Sequence, residues 1–230
     1  MNNKVSIVVL TKNRPEYLSL CLNSIVSQKY NNLEYIVVDA GSDNSTLNLI
    51  HRYNSQIPLK VIPAGDCTIG AARQIGFKNS SGNVIAYIDS DVELPHENWI
   101  DHMIEPFKYS HIVGVQTLAK YKETDHPMLK RVHSSFEYKY QTINKVNYEP
   151  VGFSHILIKK MAIADVNGFK DLNFREDTDL TSRIMDRGYS FAYLPDEKCY
   201  HYHVDGYKSY FNKMLRNKYR GALCSLRGVK

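Results

Sequence analysis

Short apolar runs alternate with amphipathic stretches through the first half of the chain. Residues 5–10, 33–39 and 59–62 are β-rich, while residues 15–28 and 46–53 between them are amphipathic. That rhythm predicts an α/β domain built on a parallel sheet. Within residues 15–28, Tyr17, Leu18, Cys21, Leu22 and Ile25 recur at helical spacing, and Pro15 falls at a first helical position, where its missing N–H is no loss. Residues 69–79 read as a further helix and residues 83–88 as a central strand. Residues 95–107 read as a helix whose buried face is Trp99, Ile100, Met103, Ile104 and Phe107.

Beyond Ser110 the pattern changes. Residues 111–118 and 153–158 predict strands, and the aromatic, charged stretch 120–148 between them has no sustained period, as expected of a lid or binding loop. A helix over 176–187 closes at Gly188, a strand follows over 189–194, and residues 199–204 are again strand-like. Residues 207–226 predict a last amphipathic helix. The expected organisation is one domain over 1–205, with halves at about 1–110 and 111–205, followed by a helical segment over 206–230.

Composition agrees with a folded domain: 230 residues, 43% hydrophobic and 23% charged, enough to bury a core. Apolar stretches such as Ile7-Val8-Val9-Leu10 fall far below the ~18 residues of a membrane span. The N-terminus lacks the pattern of a signal peptide, and Cys21, Cys67, Cys199 and Cys224 show no metal or disulfide spacing. The expectation is reduced thiols in a cytoplasmic protein. Net charge is +5, yet Lys208, Lys213, Arg216, Lys218, Arg220, Arg227 and Lys230 all lie in residues 206–230, where there is no acid. The first 205 residues therefore carry about −2, which argues against a nucleic-acid partner and for one basic C-terminal face.

The strongest chemical signal is Asp89-Ser90-Asp91, directly after the apolar strand. If the chain stays extended there, strand alternation turns both acids to one side, where they suit a hard divalent cation whose shell phosphate oxygens complete. The bland alternative is a solvated turn. Val37-Val38-Asp39-Ala40-Gly41-Ser42-Asp43 brings a second acid and a glycine turn to the same carboxyl edge, the edge where α/β sheets bind ligands. No Gly-x-Gly-x-x-Gly follows the first strand and no phosphate loop ending in Gly-Lys-Ser/Thr is present, which disfavours dinucleotide and P-loop binding.

Taken together, Thr11-Lys12-Asn13-Arg14, Val38-Asp39-Ala40-Gly41-Ser42, Gly70-Ala71-Ala72-Arg73, Asp89-Ser90-Asp91, Gly168-Phe169, Arg175-Glu176-Asp177 and His201 resemble a family 2 inverting glycosyltransferase with the A-type nucleotide-sugar-binding fold. The resemblance spans about residues 4 to 203. It implies a mostly parallel Rossmann-like sheet with helices on both faces, a donor half and an acceptor half. Residue by residue, it implies that Thr11, Asn13 and Arg14 line the nucleotide pocket, Asp39 accepts from the base and Arg73 supports the pocket. Asp89 and Ser90 would contact the nucleotide, and Asp91 with Asp89 and His201 would hold Mn2+ or Mg2+ on the diphosphate.

Glu176 and Asp177 form the candidate catalytic element, with Asp177 as the base that takes the acceptor proton, as the resemblance implies. The alternative for Asp177 is a helix cap. His201 and His203 are two apart on a strand-like run and so share a face. Two departures stand out: Asp39-Ala40-Gly41 replaces the usual acidic pair before glycine, and Gln74 replaces asparagine. The first leaves the nucleotide open between uridine and guanosine, with a UDP-sugar placed ahead of a GDP-sugar.

In the C-terminal segment, Tyr207, Tyr210, Phe211, Met214, Leu215, Tyr219, Leu223 and Leu226 form an apolar stripe among the seven cations. Such a helix suits an anionic membrane surface, with the protein peripheral at its inner face and the acceptor a glycan or a lipid-linked glycan. The rivals are a sugar nucleotidylyltransferase, whose glycine-rich, arginine-containing loop is missing after the first strand, and a non-catalytic membrane-surface module.

Overall fold

Successive residues of β1 (Val5–Thr11) serve two separate cores, which places this strand in the middle of the molecule. Val5, Ile7 and Val9 pack with Leu18, Cys21, Leu22 and Ile25 of α1 (Pro15–Val26), whereas Val8 packs on the other face with Ala72. A strand buried on both faces needs helices on both, as parallel sheets have. The computed structural model describes residues 3–122, 126–127, 130, 152–202, 208, 211–212 and 215. The expected lid over 120–148, His203 and the helix over 207–226 lie wholly or largely outside these residues.

After β1 and α1 come β2 (Leu33–Asp39), α2 (Asn44–Asn54), β3 (Leu59–Pro63), α3 (Ile69–Asn79), β4 (Val84–Asp89) and β5 (Val92–Glu93). Then follow α4 (Trp99–Ile104), a 3-10 turn (Glu105–Lys108), β6 (Ile112–Gln116), β7 (Ala119–Lys120), β8 (His155–Lys159), α5 (Lys160–Ala164), α6 (Glu176–Met185), β9 (Ser190–Tyr193) and β10 (Cys199–His201). The main sheet has seven strands in the order β3-β2-β1-β4-β8-β6-β9. Pairing is parallel except at β8, which runs antiparallel to both β4 and β6. This is the mostly parallel, Rossmann-like sheet that the resemblance implies.

The reversal of β8 has a functional consequence. Its first residue, His155, pairs with Ile88 near the end of β4, and Asp89 N–H donates to Ser154 O at 2.8 Å. The Phe153-Ser154-His155 segment thus sits at the carboxyl edge of the sheet. A second sheet, β5-β10-β7, stands beside that edge and pairs His201 with Val92.

Some elements differ from the expectation. The helix over 95–107 is shorter, Trp99–Ile104, because Pro106 has no N–H for another α-helical turn and the chain tightens into the 3-10 turn. The strand expected from 153 begins at His155, after Gly152 has taken φ +77°. The short elements β5, β7 and α5 were not foreseen. At Gly76, an added Cβ would come within 2.5 Å of Val8 Cγ1, so this glycine lets α3 lie close against β1.

Candidate active site

Parallel register brings three strand ends to one edge. Thr11 pairs with Asp39, and Leu10 with Asp89, so the residues singled out on β1, β2 and β4 become neighbours. The loop after β1 turns sharply, with Asn13 and Arg14 both at φ 62° in the left-handed region. Asn13 is held there from β2's side: its N–H donates to Ser42 Oγ at 2.9 Å and its Oδ1 accepts from Asp43 N–H at 2.8 Å. The Asp39 carboxylate accepts from Ser42 N–H at 3.2 and 3.3 Å, closing the turn through Gly41 at φ +84°.

Beside these loops lies a cleft of about 590 Å³, lined among others by Thr11, Lys12, Ala40, Cys67, Ala72 and Asn173. Lys12 Nζ pairs with Asp66 Oδ1 at 2.8 Å, both exposed. Thr11 Oγ1 is buried and has no hydrogen-bond partner, the condition of a polar atom that a bound ligand satisfies.

Asp89, Asp91 and His201 present ligand atoms that all lie within 4.8 Å of one another. The two acids do not converge by strand alternation. β4 ends at Asp89, and Ser90 and Asp91 form a turn before β5, so the turn brings the second carboxylate back beside the first. His201 Nε2 stands 3.2 Å from Asp91 Oδ1, and Tyr202 N–H, donating to Asp91 O at 2.9 Å, fixes β10 against the same turn. Two carboxylates and one imidazole form a donor set that suits Mn2+ and, with its oxygens, Mg2+.

Arg14 Nη1 is 3.3 Å from Asp91 Oδ2, and Arg14 Nη2 donates to Tyr202 O at 3.2 Å. The guanidinium also lies over the Tyr17 ring, 4.3 Å from its centroid. Arg14 therefore sets a positive charge against the Asp91 carboxylate. Burial pushes the Asp89 carboxyl above the usual range, Arg73 draws it back, and the neighbouring Asp91 pushes it up again.

Arg73 is 2% exposed, and its guanidinium donates three hydrogen bonds. Its Nε donates to Glu176 Oε1 at 3.1 Å, Nη1 to Phe153 O at 3.2 Å and Nη2 to Asp89 Oδ1 at 3.4 Å. It joins the cation site to the catalytic candidates. Glu176, itself 4% exposed, is pushed up by burial and pulled back by Arg73. The N-cap of α6 is Arg175, in the left-handed region at φ 59°, so Glu176 and Asp177 both fall in the first turn. Asp177 Oδ1 accepts from Thr178 N–H at 2.7 Å, but Asp177 is not the helix cap, since it lies inside the first turn, while a Cβ on Gly152 would lie 3.6 Å from its Oδ2.

The structure thus gathers Arg14, Arg73, Asp89, Asp91, Glu176 and His201 into one linked cluster, with Thr11 and Asp39 at the adjoining strand ends and Asn13 on the loop after β1. Among the described residues the Ser90 side chain makes no hydrogen bond to this cluster, although Ser90 lies in the turn between Asp89 and Asp91. Sequence reasoning missed Tyr202 and Tyr17, which hold Arg14, and His155, whose ring lies 6.3 Å from that of His201. Only the spacing of Tyr202 beside His201 offered a signal.

The glycosyl transferase family 2 model matches residues 6–165. Glycosyltransferase AglE of Haloferax volcanii is 27% identical over 203 residues, covering 84% of this chain and 64% of AglE. Among solved structures, mannosyltransferase PcManGT from Pyrobaculum calidifontis, in complex with GDP-Man and Mn2+, superposes with a TM-score of 0.77 at 16% identity. That match covers 98% of this chain and 64% of PcManGT. Staphylococcus aureus TarS in complex with UDP-GlcNAc superposes with a TM-score of 0.67 at 19% identity, over 90% of this chain and 60% of TarS. The chain thus spans less than two thirds of the length of each.

Proposed function

Since the chain belongs to glycosyl transferase family 2, we propose that it transfers a sugar, with inversion, from a nucleoside diphosphate sugar to an acceptor hydroxyl. The observation that carries this reading is the Arg73 bridge, which links the Asp89-Asp91-His201 group to Glu176 and the neighbouring Asp177 at one sheet edge. A divalent cation held by Asp89, Asp91 and His201 would neutralise charge on the departing diphosphate. Thr11, Asn13, Arg14 and Asp39 would receive the nucleotide, Thr11 Oγ1 finding its missing partner there, with Ser90 beside it. Asp177 would take the proton of the acceptor hydroxyl as the oxygen attacks the anomeric carbon. Glu176, held by Arg73, sets the place of that turn of helix.

We place a UDP-sugar first among donors. A panel should nevertheless include GDP-sugars, because TarS was solved with UDP-GlcNAc and PcManGT with GDP-Man. The acceptor we propose is a glycan or lipid-linked glycan reached at an anionic membrane surface. Phe211 and Leu215, four apart and helical, are 60% and 52% exposed within the segment that carries seven cations and no acid. Among the described residues no helix is long and apolar enough to cross a membrane.

The test is product analysis with a panel of nucleotide sugars and Mn2+ or Mg2+. Release of nucleoside diphosphate supports sugar transfer. Formation of nucleoside triphosphate and sugar 1-phosphate when pyrophosphate is added would instead identify a nucleotidylyltransferase, and formation of none of these products would leave a binding module.

A further inference from the structure

A second cluster of metal-ligating side chains, none of which lines the cleft, lies between α4 and the segment that leads into β10. His96 sits in the loop before α4, His102 lies on α4, and Glu197 stands two residues before β10. His96 Nε2 is 2.8 Å from Glu197 Oε2, and His102 Nδ1 is 2.7 Å from Glu197 Oε1. The two imidazole centroids are 5.1 Å apart, and the ligand atoms of all three residues fall within 4.8 Å of one another. We propose that His96, His102 and Glu197 form a second metal centre, for a cation of the Zn2+ class, which fastens the segment before β10 to α4.

The donor set sets the class of cation. Two imidazoles and one carboxylate are the ligands of Zn2+, which takes three protein groups and leaves a fourth position to water. Hard cations such as Mg2+ prefer oxygen, so this set differs in kind from the carboxylate-rich group of Asp89, Asp91 and His201. Each imidazole needs only the tautomer that puts its proton on the outward nitrogen, His96 Nδ1 or His102 Nε2, to offer its inner lone pair.

The backbone under the ligands is fixed already. Glu197 O accepts from Nε1 of the fully buried Trp99 at 2.9 Å, and His96 O accepts from Gln28 Nε2 at 2.8 Å. Closing around a cation therefore asks only for small side-chain movements. The side chains of His96 and His102 are 39% and 51% exposed, so a cation has a path from solvent, while Glu197, at 15%, is the inner ligand. Because Glu197 precedes the strand that carries His201, the bound cation would steady that strand.

The experiment titrates the full chain with Co2+, whose visible absorption is strong in four-coordinate sites, and then displaces it with Zn2+. Wild type and Asp91→Asn are expected to show the same four-coordinate band, lost on adding Zn2+, and His102→Ala to bind Co2+ at least ~10-fold more weakly. His96→Ala gives a second, independent removal of a ligand, and circular dichroism checks that each variant folds. Absence of the band in wild type, its survival at equal affinity in His102→Ala and His96→Ala, or its loss in Asp91→Asn would overturn the proposal. A purely hydrogen-bonded staple of the three residues gives the first of these results.

Discussion

Arg73 Nε donates to Glu176 Oε1 at 3.1 Å, a buried ion pair between side chains 103 residues apart in the chain. The same guanidinium reaches Asp89, so one buried cation answers two buried or half-buried carboxylates. Taking it away leaves both without compensation, a change that typically destabilises by about 3–5 kcal/mol. Arg73→Met should show a loss of that order in denaturant unfolding. Arg73→Lys should recover part of it, because the charge returns without the planar fork that serves Glu176, Phe153 O and Asp89 together. An Arg73→Met midpoint equal to wild type would mean that the bridge holds nothing.

Asp177→Asn separates the proposed base from a role in the first turn of α6. The amide keeps an oxygen that can still accept from Thr178 N–H, so the first turn should survive, while the proposed proton acceptor is removed. Turnover should fall by ~100-fold or more with donor affinity nearly unchanged. Near-normal turnover with a lowered melting temperature would assign Asp177 to the helix alone.

The basic C-terminal segment is expected to bring the chain to anionic vesicles. Each cation near such a surface contributes about 1 kcal/mol, so several together give reversible attachment that salt weakens. Sedimentation with anionic and neutral vesicles at low and high salt reads this out, and Phe211→Ser/Leu215→Ser should reduce it. Equal, negligible binding to both vesicle types would remove the membrane from the account and favour a soluble acceptor.

The main sheet was legible because its strands are long apolar runs: residues 33–39 and 69–79 were placed to the residue as strand and helix. The pieces that complete the site were not. β5 and β7 have two residues each, too few for a period to show, and although residues 199–204 read as strand-like, the pairing of β10 with β5 that sets His201 beside Asp91 leaves no local mark. Asp89 and Asp91 were chosen correctly as neighbours but for the wrong geometry, since a turn, not an extended strand, brings them together. Arg73 was read as a support for the nucleotide pocket; that it also grips Glu176 follows from the packing of α3 against α6, a contact across the chain that no local pattern encodes. The antiparallel course of β8 was hidden for the same reason, because strand direction leaves no mark on hydrophobic spacing.

Under the proposed mechanism Asp91 holds a cation which in turn holds the donor diphosphate. Calorimetric titration of UDP, with Mn2+ and with a chelator, on wild type and Asp91→Asn reads this out. Mn2+ should tighten UDP binding to wild type by ~10-fold or more, a gain of about 1.4 kcal/mol, and should leave Asp91→Asn almost unchanged. Equal affinity for UDP in wild type with Mn2+ and with chelator, while the nucleotide still binds, would contradict the account.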